Sequence, residues 1–394
     1  MNFYKTLLLL LLTALFTPVL QAQTDDAKED SPQARSLTKG GIYDKPFITG
    51  IGGRLRIGGY VDAQFRHHRT LGIVEEQSFL LERMNLFTFT NISDKVRFIS
   101  ELEFEDGGEE VKIELAIVDF EIHEAVTFRG GILLSPLGRF NQAHDSPANQ
   151  LIDRPLVSTR IIPTTFSEVG MGFLGVFYTS ATSRVTYEIY AVNGINDGLI
   201  LESGGNTSIP SGKSNFEDNN NQPSITGRLA YSPSSSFEIG ASTHSGPYNV
   251  YRIEGVEVDD KRNVSIFVVD GFYRRQNLQI TWEYANANID IDPSLGGVYA
   301  DNQNGFFVEG NYRFFDKFVS TMPESYFMAS LRYENVNMNS DIDGEDAKRI
   351  TIGLNFRPNA DTAFKLDFQH NLTHDTFNLE AEDTALLFGI ATYF

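Results

Sequence analysis

The stretch RITIGLNFR, residues 349–357, decides the fold because apolar and polar side chains alternate along it. Every second position from Ile350 to Phe356 is apolar, and the positions between them carry polar or small residues. Successive side chains of a β-strand point to opposite faces, so this segment forms a strand with one apolar and one wet face. Such a strand separates a hydrophobic environment from an aqueous one.

The same alternation recurs along most of the chain, in about sixteen segments bounded by turn-forming residues. Two of these segments, 79–92 and 111–123, lose the alternation midway, and we expect β-bulges in both. The segments lie near 54–67, 79–92, 95–105, 111–123, 126–134, 168–180, 184–193, 223–232, 236–244, 262–273, 276–287, 304–315, 324–334, 347–357, 361–370 and 384–394.

The first residues of the chain predict export. Residues 1–22 consist of a short positively charged region, an apolar run and a small residue, Ala22, where cleavage is expected. This pattern is typical of a secretory signal peptide. We predict a periplasmic leader or linker over residues 23–50 and a single barrel domain over residues 51–394.

The composition after the signal peptide leaves two classes of protein. Aromatic residues make up 12% of the chain, there is no cysteine, and no later apolar run approaches the ~18–20 residues of a transmembrane helix. A large soluble β protein and an outer-membrane barrel both fit these features. In a barrel, the polar half of each strand would face water inside.

The connections between the segments favour the barrel, because short turns alternate with longer loops as in outer-membrane barrels. The chain also ends on an alternating strand, TALLFGIATYF, closed by Phe394. A terminal Phe in this context resembles the insertion signal of outer-membrane β-barrel proteins. The sequence therefore predicts an all-β chain, a transmembrane antiparallel β-barrel of about 16 strands, in the outer membrane of a Gram-negative bacterium.

One long connection, residues 135–167, shows neither strand alternation nor a helical face. A loop of this length inside a compact domain is uncommon and is usually functional. In the order of segments it is the third outward connection. Its apolar IIP segment, residues 161–163, could pack inside the barrel.

Three stretches of the chain resemble the phosphate-selective porin O/P family: residues 79–105 (FLLERMNLFTFTNISDKVRFISELEFE), 129–147 (RGGILLSPLGRFNQAHDSP) and 154–173 (RPLVSTRIIPTTFSEVGMGF). The resemblance covers roughly residues 50–394. It implies a 16-stranded, commonly trimeric outer-membrane channel for small anions, whose third extracellular loop folds into the lumen. It also implies that arginines of the lumen and lysines of this loop guide the anions.

Candidate site residues follow from the loop and from the wet face of each strand. The loop carries no lysine, so its arginines are the candidates; they could also pin the loop to carboxylates of the wall. For the constriction and its selectivity we predict Arg129, Arg139, Arg154 and Arg160. For the lumen wall we predict Arg54, Arg56, Arg66, Arg228, Arg313, Arg332, Arg357 and Lys365.

Other patterns predict no chemistry. GMGFLG, residues 170–175, matches a dinucleotide-binding fingerprint, but no helix follows it. The acidic run 103–110, the pair Asp290 and Asp292, and the pair His370 and His374 are expected to be solvated rather than metal sites. We predict no enzyme activity, no cofactor, no metal site and no nucleic-acid partner; the expected partners are outer-membrane lipid and small ions or solutes.

The function predicted from the sequence is that of a porin, a passive diffusion channel for small hydrophilic solutes, with anions such as phosphate as its cargo. Two alternatives stay open. The chain could be a non-conducting structural barrel, or one that binds partners through its outer loops. It could also be a channel for another organic solute, although only Tyr60 and Tyr190 offer aromatic rings on the wet face.

Overall fold

The alternating segments form the sixteen strands of one closed antiparallel barrel. The computed structural model describes residues 37–46, 55–215 and 217–394. The first nine strands are β1 (Leu55–Thr70), β2 (Ile73–Asn91), β3 (Val96–Glu105), β4 (Glu110–His123), β5 (Val126–Leu134), β6 (Ser167–Tyr178), β7 (Arg184–Val192), β8 (Ser224–Ser234) and β9 (Phe237–Pro247). A separate two-stranded hairpin follows, made of β10 (Arg252–Ile253) and β11 (Val256–Glu257). The remaining barrel strands are β12 (Asn263–Arg275), β13 (Leu278–Ile289), β14 (Asn302–Phe314), β15 (Tyr326–Asn337), β16 (Asp346–Arg357), β17 (Thr362–His374) and β18 (Glu380–Tyr393).

Each barrel strand pairs with its neighbours along the chain, and β1 pairs with β18 to close the sheet. The last residue takes part in this closure, since Phe394 and Gly59 exchange two backbone hydrogen bonds of 3.0 and 3.1 Å. A closed barrel leaves no strand edge with unpaired backbone groups. The predicted fold class, a 16-stranded antiparallel barrel, is confirmed.

The outer face of the wall is apolar. In β16, Ile350, Ile352 and Leu354 are exposed on the outside, while Thr351 and Asn355, at the alternate positions, are completely buried inside. Aromatic rings gather near the end of the barrel where β14 is joined to β15 and β16 to β17. Their centroids lie 4.9–6.4 Å apart in a chain of contacts among Phe314, Phe315, Phe318, Phe327, Phe356 and Phe364. Apolar bands flanked by such girdles face lipid in outer-membrane barrels.

The two expected bulges are present. Opposite β1, the register of β2 skips Glu82, and opposite β3, the register of β4 skips Glu114. An extra residue in one strand turns neighbouring side chains toward the same face. As a result, Glu114 and Leu115 are both buried on the inner face of β4.

The first outward connection differs from the sequence expectation. The sequence leaves residues 68–78 as the connection between the first two predicted segments, but the structure has only a tight turn of two residues, Leu71 and Gly72, between β1 and β2. Both residues have positive φ, 50° and 84°, which is the backbone of a two-residue hairpin turn. The alternation of short and long connections therefore holds less strictly than predicted.

The remaining short elements lie in the connections. Helices span Gly138–Gln142, Val157–Arg160 and Gly198–Leu201, and 3-10 turns span Asp106–Gly108, Ile209–Gly212 and Pro293–Leu295. Among the described residues, no helix is long and apolar enough to cross a membrane. The predicted signal peptide, residues 1–22, lies outside the described residues, as does most of the predicted leader.

Candidate pore constriction

The third outward loop, residues 135–166 between β5 and β6, bonds to side chains on the inner face of the wall. It turns inward at Gly138, whose φ is +69° and whose N–H donates to Ser242 Oγ on β9 at 2.9 Å. Two residues later, the N–H of Phe140 donates to Glu283 Oε2 on β13 at 3.2 Å. The loop therefore runs within the lumen, close to strands that are distant in sequence.

One side of the loop is apolar and forms the hydrophobic core of the molecule. Val157, Ile161 and Ile162, together with Leu137 and Phe166, are completely buried in this cluster. They pack against inward-facing apolar residues of four strands and against residues of two neighbouring loops, those after β7 and after β9. Those residues are Val264, Ile266, Val268, Ala285, Ala287, Ile289, Phe307, Val336, Ile195, Leu199, Ile209 and Tyr248. Burial of this surface holds the loop against β12–β15.

The polar side of the loop centres on Asp153. Its carboxylate lies 2.9 Å from Arg66 Nη2 on β1 and 3.7 Å from Arg349 Nη1 on β16, and it accepts a hydrogen bond of 2.8 Å from Gln369 on β17. Burial acts to raise the pKa of Asp153, but the guanidiniums of Arg66 and Arg349 outweigh it and hold the pKa below its usual range. The side chain is therefore ionised at neutral pH and ties three strands to the loop.

Backbone groups of the loop also bond to the wall. The N–H of Ile152 donates to Asp367 at 2.6 Å, and the N–H of Leu156 donates to Glu334 at 2.7 Å. Buried backbone groups outside regular structure need partners, and here charged wall residues supply them. Loop carbonyls accept in the same way from Arg332, Arg349, Asn355, Arg357 and Lys365.

Residues 37–46 enter the lumen as well, although the sequence predicts a periplasmic leader there. The Tyr43 hydroxyl donates to Asp119 on the inner face of β4, and the Lys45 ammonium pairs with Asp145 of the loop. Burial, followed by the charge of Asp119, raises the pKa of Tyr43 above its usual range, so its phenol stays protonated. The physical reason for the difference is that these residues find buried charged partners more than 70 positions away, which no local pattern reveals.

Two of the predicted constriction arginines are fully engaged. Arg139 Nη1 lies 3.0 Å from Glu238, and its guanidinium sits 4.8 Å from the centre of the Phe272 ring. Arg129 donates twice to Asp119, at 2.8 Å each. Arg139 therefore pins the loop to a carboxylate of the wall, which is the alternative that the sequence left open, whereas Arg129 and Asp119 pair within the wall.

The other two predicted constriction arginines differ from them. Arg154 donates through Nη1 to the carbonyl of Thr164 at 2.9 Å, but its Nε and Nη2 are buried without a hydrogen-bond partner. Arg160, at the end of its short helix, is exposed, and its side chain forms no ion pair with any described residue. Arg154 is therefore the constriction arginine with unused donors inside the lumen.

The predicted wall cations are nearly all paired. Arg228 lies 2.6 Å from Asp270, and Arg332 lies 3.1 Å from Glu334. The other described wall cations contact the third loop, lie over an aromatic ring, or are partly exposed to solvent. Arg66, Arg357 and Lys365 bond to the third loop, Arg56 lies over the Phe89 ring, Arg313 pairs with Asp316 and is partly exposed, and Arg54 lies outside the described residues.

Several charged residues of the lumen were not predicted from the sequence. Arg83 is buried beside Glu103 at 3.4 Å, and it faces inward because the bulge at Glu82 shifts the alternation of β2. Arg349 pairs with Glu334 at 2.5 Å. Its position in RITIGLNFR, on the same face as Thr351, was a signal that could have identified it.

Comparison with known proteins identifies the fold. No protein-family model matches the chain. A curated protein of Aquifex aeolicus, described only as uncharacterized, is 26% identical over 321 residues, which is 73% of this chain and 69% of that protein. This relationship adds no function.

Solved structures match over most of the chain at low sequence identity. The outer membrane channel DcaP of Acinetobacter baumannii has a TM-score of 0.56 at 10% identity, covering 86% of this chain and 97% of that one. The anion-selective porin from Comamonas acidovorans has a TM-score of 0.55 at 11% identity, covering 86% and 99%. The trimer form of OmpT from Vibrio cholerae has a TM-score of 0.52 at 12% identity, covering 87% and 100%.

These similarities concern the fold. Together with the apolar outer face of the closed barrel, they confirm the predicted location in the outer membrane of a Gram-negative bacterium. The chain has the fold of the outer-membrane porins.

Proposed function

We propose that the protein is a passive diffusion channel for small hydrophilic solutes and not an enzyme. The observation that carries this proposal is the size of the barrel, since sixteen strands enclose far more space than side chains alone can fill. Barrels of 16–18 strands leave an aqueous channel, whereas barrels of about 8 strands are filled by their own side chains. A purely structural barrel would not need this width.

The third loop and residues 37–46 would then narrow this channel. Together they cover much of the inner wall, so that Arg228, Arg332, Lys365, Asp270 and Glu334 are at most 5% exposed. Residues at the polar side of the loop are more accessible, with side-chain exposures of 23% for Arg66, 22% for Glu82 and 18% for Asp153. We place the narrow passage on this side, along β1 and β2.

We further propose a modest preference for anions, with small phosphate-like ions as the cargo class. Most lumen arginines are neutralised by carboxylates, so the proposal rests on Arg154 and its two buried donors without a partner. Guanidinium nitrogens suit phosphate because they donate in a fixed planar geometry. The mixed charges around it argue against a continuous ladder of cations.

The reversal potential across a planar bilayer under a KCl gradient tests this preference. We expect chloride to be favoured in the wild-type channel, and the potential to shift toward the cation-selective direction in Arg154→Ala. Arg252→Ala is the matched control, because Arg252 is exposed in the β10–β11 hairpin and pairs with Glu257. A cation preference in the wild type, or equal shifts in both variants, would remove the anion proposal.

We propose a homotrimer as the assembly. The solved OmpT structure with a similar fold is of a trimer form, and the family resemblance implies the same state. Chemical cross-linking of the purified protein in mild detergent would show a trimer as the largest species; a monomer alone would contradict this proposal without affecting the channel.

A further inference from the structure

Two carboxylates and one imidazole meet inside the lumen without an assigned role. Glu101 comes from β3, Glu114 from the bulge of β4, and His144 from the third loop. One potential ligand atom from each lies within 4.8 Å of the other two. The three residues are 1%, 3% and 2% exposed, so the cluster is enclosed by protein.

His144 is oriented as a ligand would be. Its Nδ1 lies 2.9 Å from the backbone carbonyl oxygen of Asn141 and donates to it, because a carbonyl can only accept. The lone pair of the neutral ring then lies on Nε2, which is buried, has no hydrogen-bond partner and lies 3.6 Å from Glu114 Oε2. A histidine whose second nitrogen donates to a carbonyl is the usual arrangement around a bound metal ion.

The two carboxylates are held by the amide of Asn85 rather than by an ion pair with a lysine or arginine. No lysine or arginine among the described residues forms an ion pair with Glu101 or Glu114. Both accept from the amide of Asn85, at 2.6 and 3.2 Å, and Glu114 Oε1 has no hydrogen-bond partner. Buried carboxylates are normally paired, hydrogen-bonded or bound to metal, and the free Glu114 Oε1 and the free His144 Nε2 leave room for a metal ion between them.

We propose that Glu101, Glu114 and His144 form a binding site for a divalent transition-metal ion such as Zn²⁺. One imidazole nitrogen and two carboxylate oxygens are a ligand set that suits zinc and its neighbours. Mg²⁺ requires oxygen ligands in near-ideal octahedral geometry and suits the site poorly. Asn85 would hold the two carboxylates in place from outside the ligand set.

The consequence for the molecule is a link between the constriction loop and the wall. His144 lies on the loop, whereas Glu101 and Glu114 lie on adjacent strands. A bound ion would join them with three coordinate bonds at a point where the loop has no carboxylate–arginine pair. The sequence predicts no metal site, because the three ligands are separated in sequence and one of them faces inward only through the bulge.

Metal binding by the purified full chain in detergent tests the proposal. The protein is stripped with a chelator, dialysed against Zn²⁺ and desalted, and its metal is measured by elemental analysis. We expect about one ion per chain in the wild type and none in His144→Ala or Glu114→Gln. Asn85→Ala should bind roughly 10–100-fold more weakly, the usual effect of removing a residue that positions a metal ligand.

Two controls separate this site from other histidines. His244→Ala removes a buried histidine that pairs with Glu168 at 2.8 Å, and His374→Ala removes a histidine near the barrel rim that pairs with Asp346. Both should keep the ion, and the heat-dependent shift of the barrel on a gel verifies that each variant is folded. Absence of zinc from the folded wild type, or its retention in folded His144→Ala and Glu114→Gln, would overturn the site.

Discussion

Gly138 stands where the chain leaves the wall and turns into the lumen. Its φ of +69° is costly for any residue with a side chain, and an added Cβ would lie 2.4 Å from Glu283 Oε2. Glu283 cannot retreat freely, because it accepts hydrogen bonds from Phe140 and Ser158. The conformation of the loop therefore depends on the absence of one methyl group.

We expect Gly138→Ala to destabilise the protein by about 2–4 kcal/mol, the sum of a left-handed backbone and the loss of buried hydrogen bonds. Gly204→Ala is the matched control, since Gly204 also has a positive φ, of 77°, but has open space around it. The control should cost only about 1 kcal/mol. Urea unfolding followed by tryptophan fluorescence measures both, and equal losses would contradict the role of Glu283.

Asp153 carries a pH dependence whose sign follows from its pKa. Its pKa is lower in the folded protein than the usual value near ~4. Its contribution to stability is therefore fully present above that usual value and is lost as the pH falls through the lower, folded value. The contacts with Arg66, Arg349 and Gln369 should loosen in acid and hold at neutral pH.

Hydrogen exchange of the loop near residues 150–156 measures this effect. At pH 7, the free energy of opening this loop should be about 2 kcal/mol lower in Asp153→Asn than in the wild type, because a hydrogen-bonded charge is lost. Its amides should then exchange roughly 30-fold faster. The wild type should approach the variant only in acid, after correction for intrinsic exchange rates. Asp343→Asn, in an exposed outer loop, should behave as the wild type. If residues 150–156 were equally protected from exchange in Asp153→Asn and in the wild type at pH 7, Asp153 would not hold the loop.

At the scale of elements, residues 37–46 act with the third loop although they precede β1. Lys45 is 3% exposed and Tyr43 is 8% exposed, and both bind carboxylates of the lumen. Removing both side chains takes away two of the buried anchors of this segment and leaves the hydrogen bond from Thr38 to Gln142. The segment should then leave the lumen while the barrel itself stays closed.

We expect the double variant Tyr43→Ala, Lys45→Ala to be cleaved within residues 37–46 by low concentrations of protease that leave the wild type intact. Its single-channel conductance should rise, because part of the lumen is vacated. Lys95→Ala, at an exposed turn between β2 and β3, is the control. Equal protection of the double variant and the wild type would show that other contacts hold the segment.

The strands and both bulges could be predicted from the sequence because each depends on local alternation. The bulge at Glu114 was visible as a break in the pattern of 111–123, yet its consequence was not. The register between β3 and β4 decides which side chain turns inward. It therefore also decides that Glu114 lies close to His144. Local patterns identify an element, but the partners of its residues depend on the packing.

For the whole molecule, the alternating segments and the connections between them predicted a 16-stranded barrel, and the structure confirms it. The lumen was less predictable. Arg139 and Arg129 lie inside the barrel, but their partners Glu238 and Asp119 come from other elements, β9 and β4. Charge counts along the sequence do not reveal such pairs, so selectivity could not be deduced from the number of arginines.

In the proposed channel, the third loop narrows the aqueous passage. Single-channel conductance of the wild type and of a variant lacking residues 141–159 tests it most directly, with a barrel-folding control on the gel for each protein. We predict that the wild type conducts and that the folded deletion variant conducts several-fold more, because the lumen then loses the segment that crosses it. A wild type that does not conduct, or a folded deletion variant with unchanged conductance, would contradict the account.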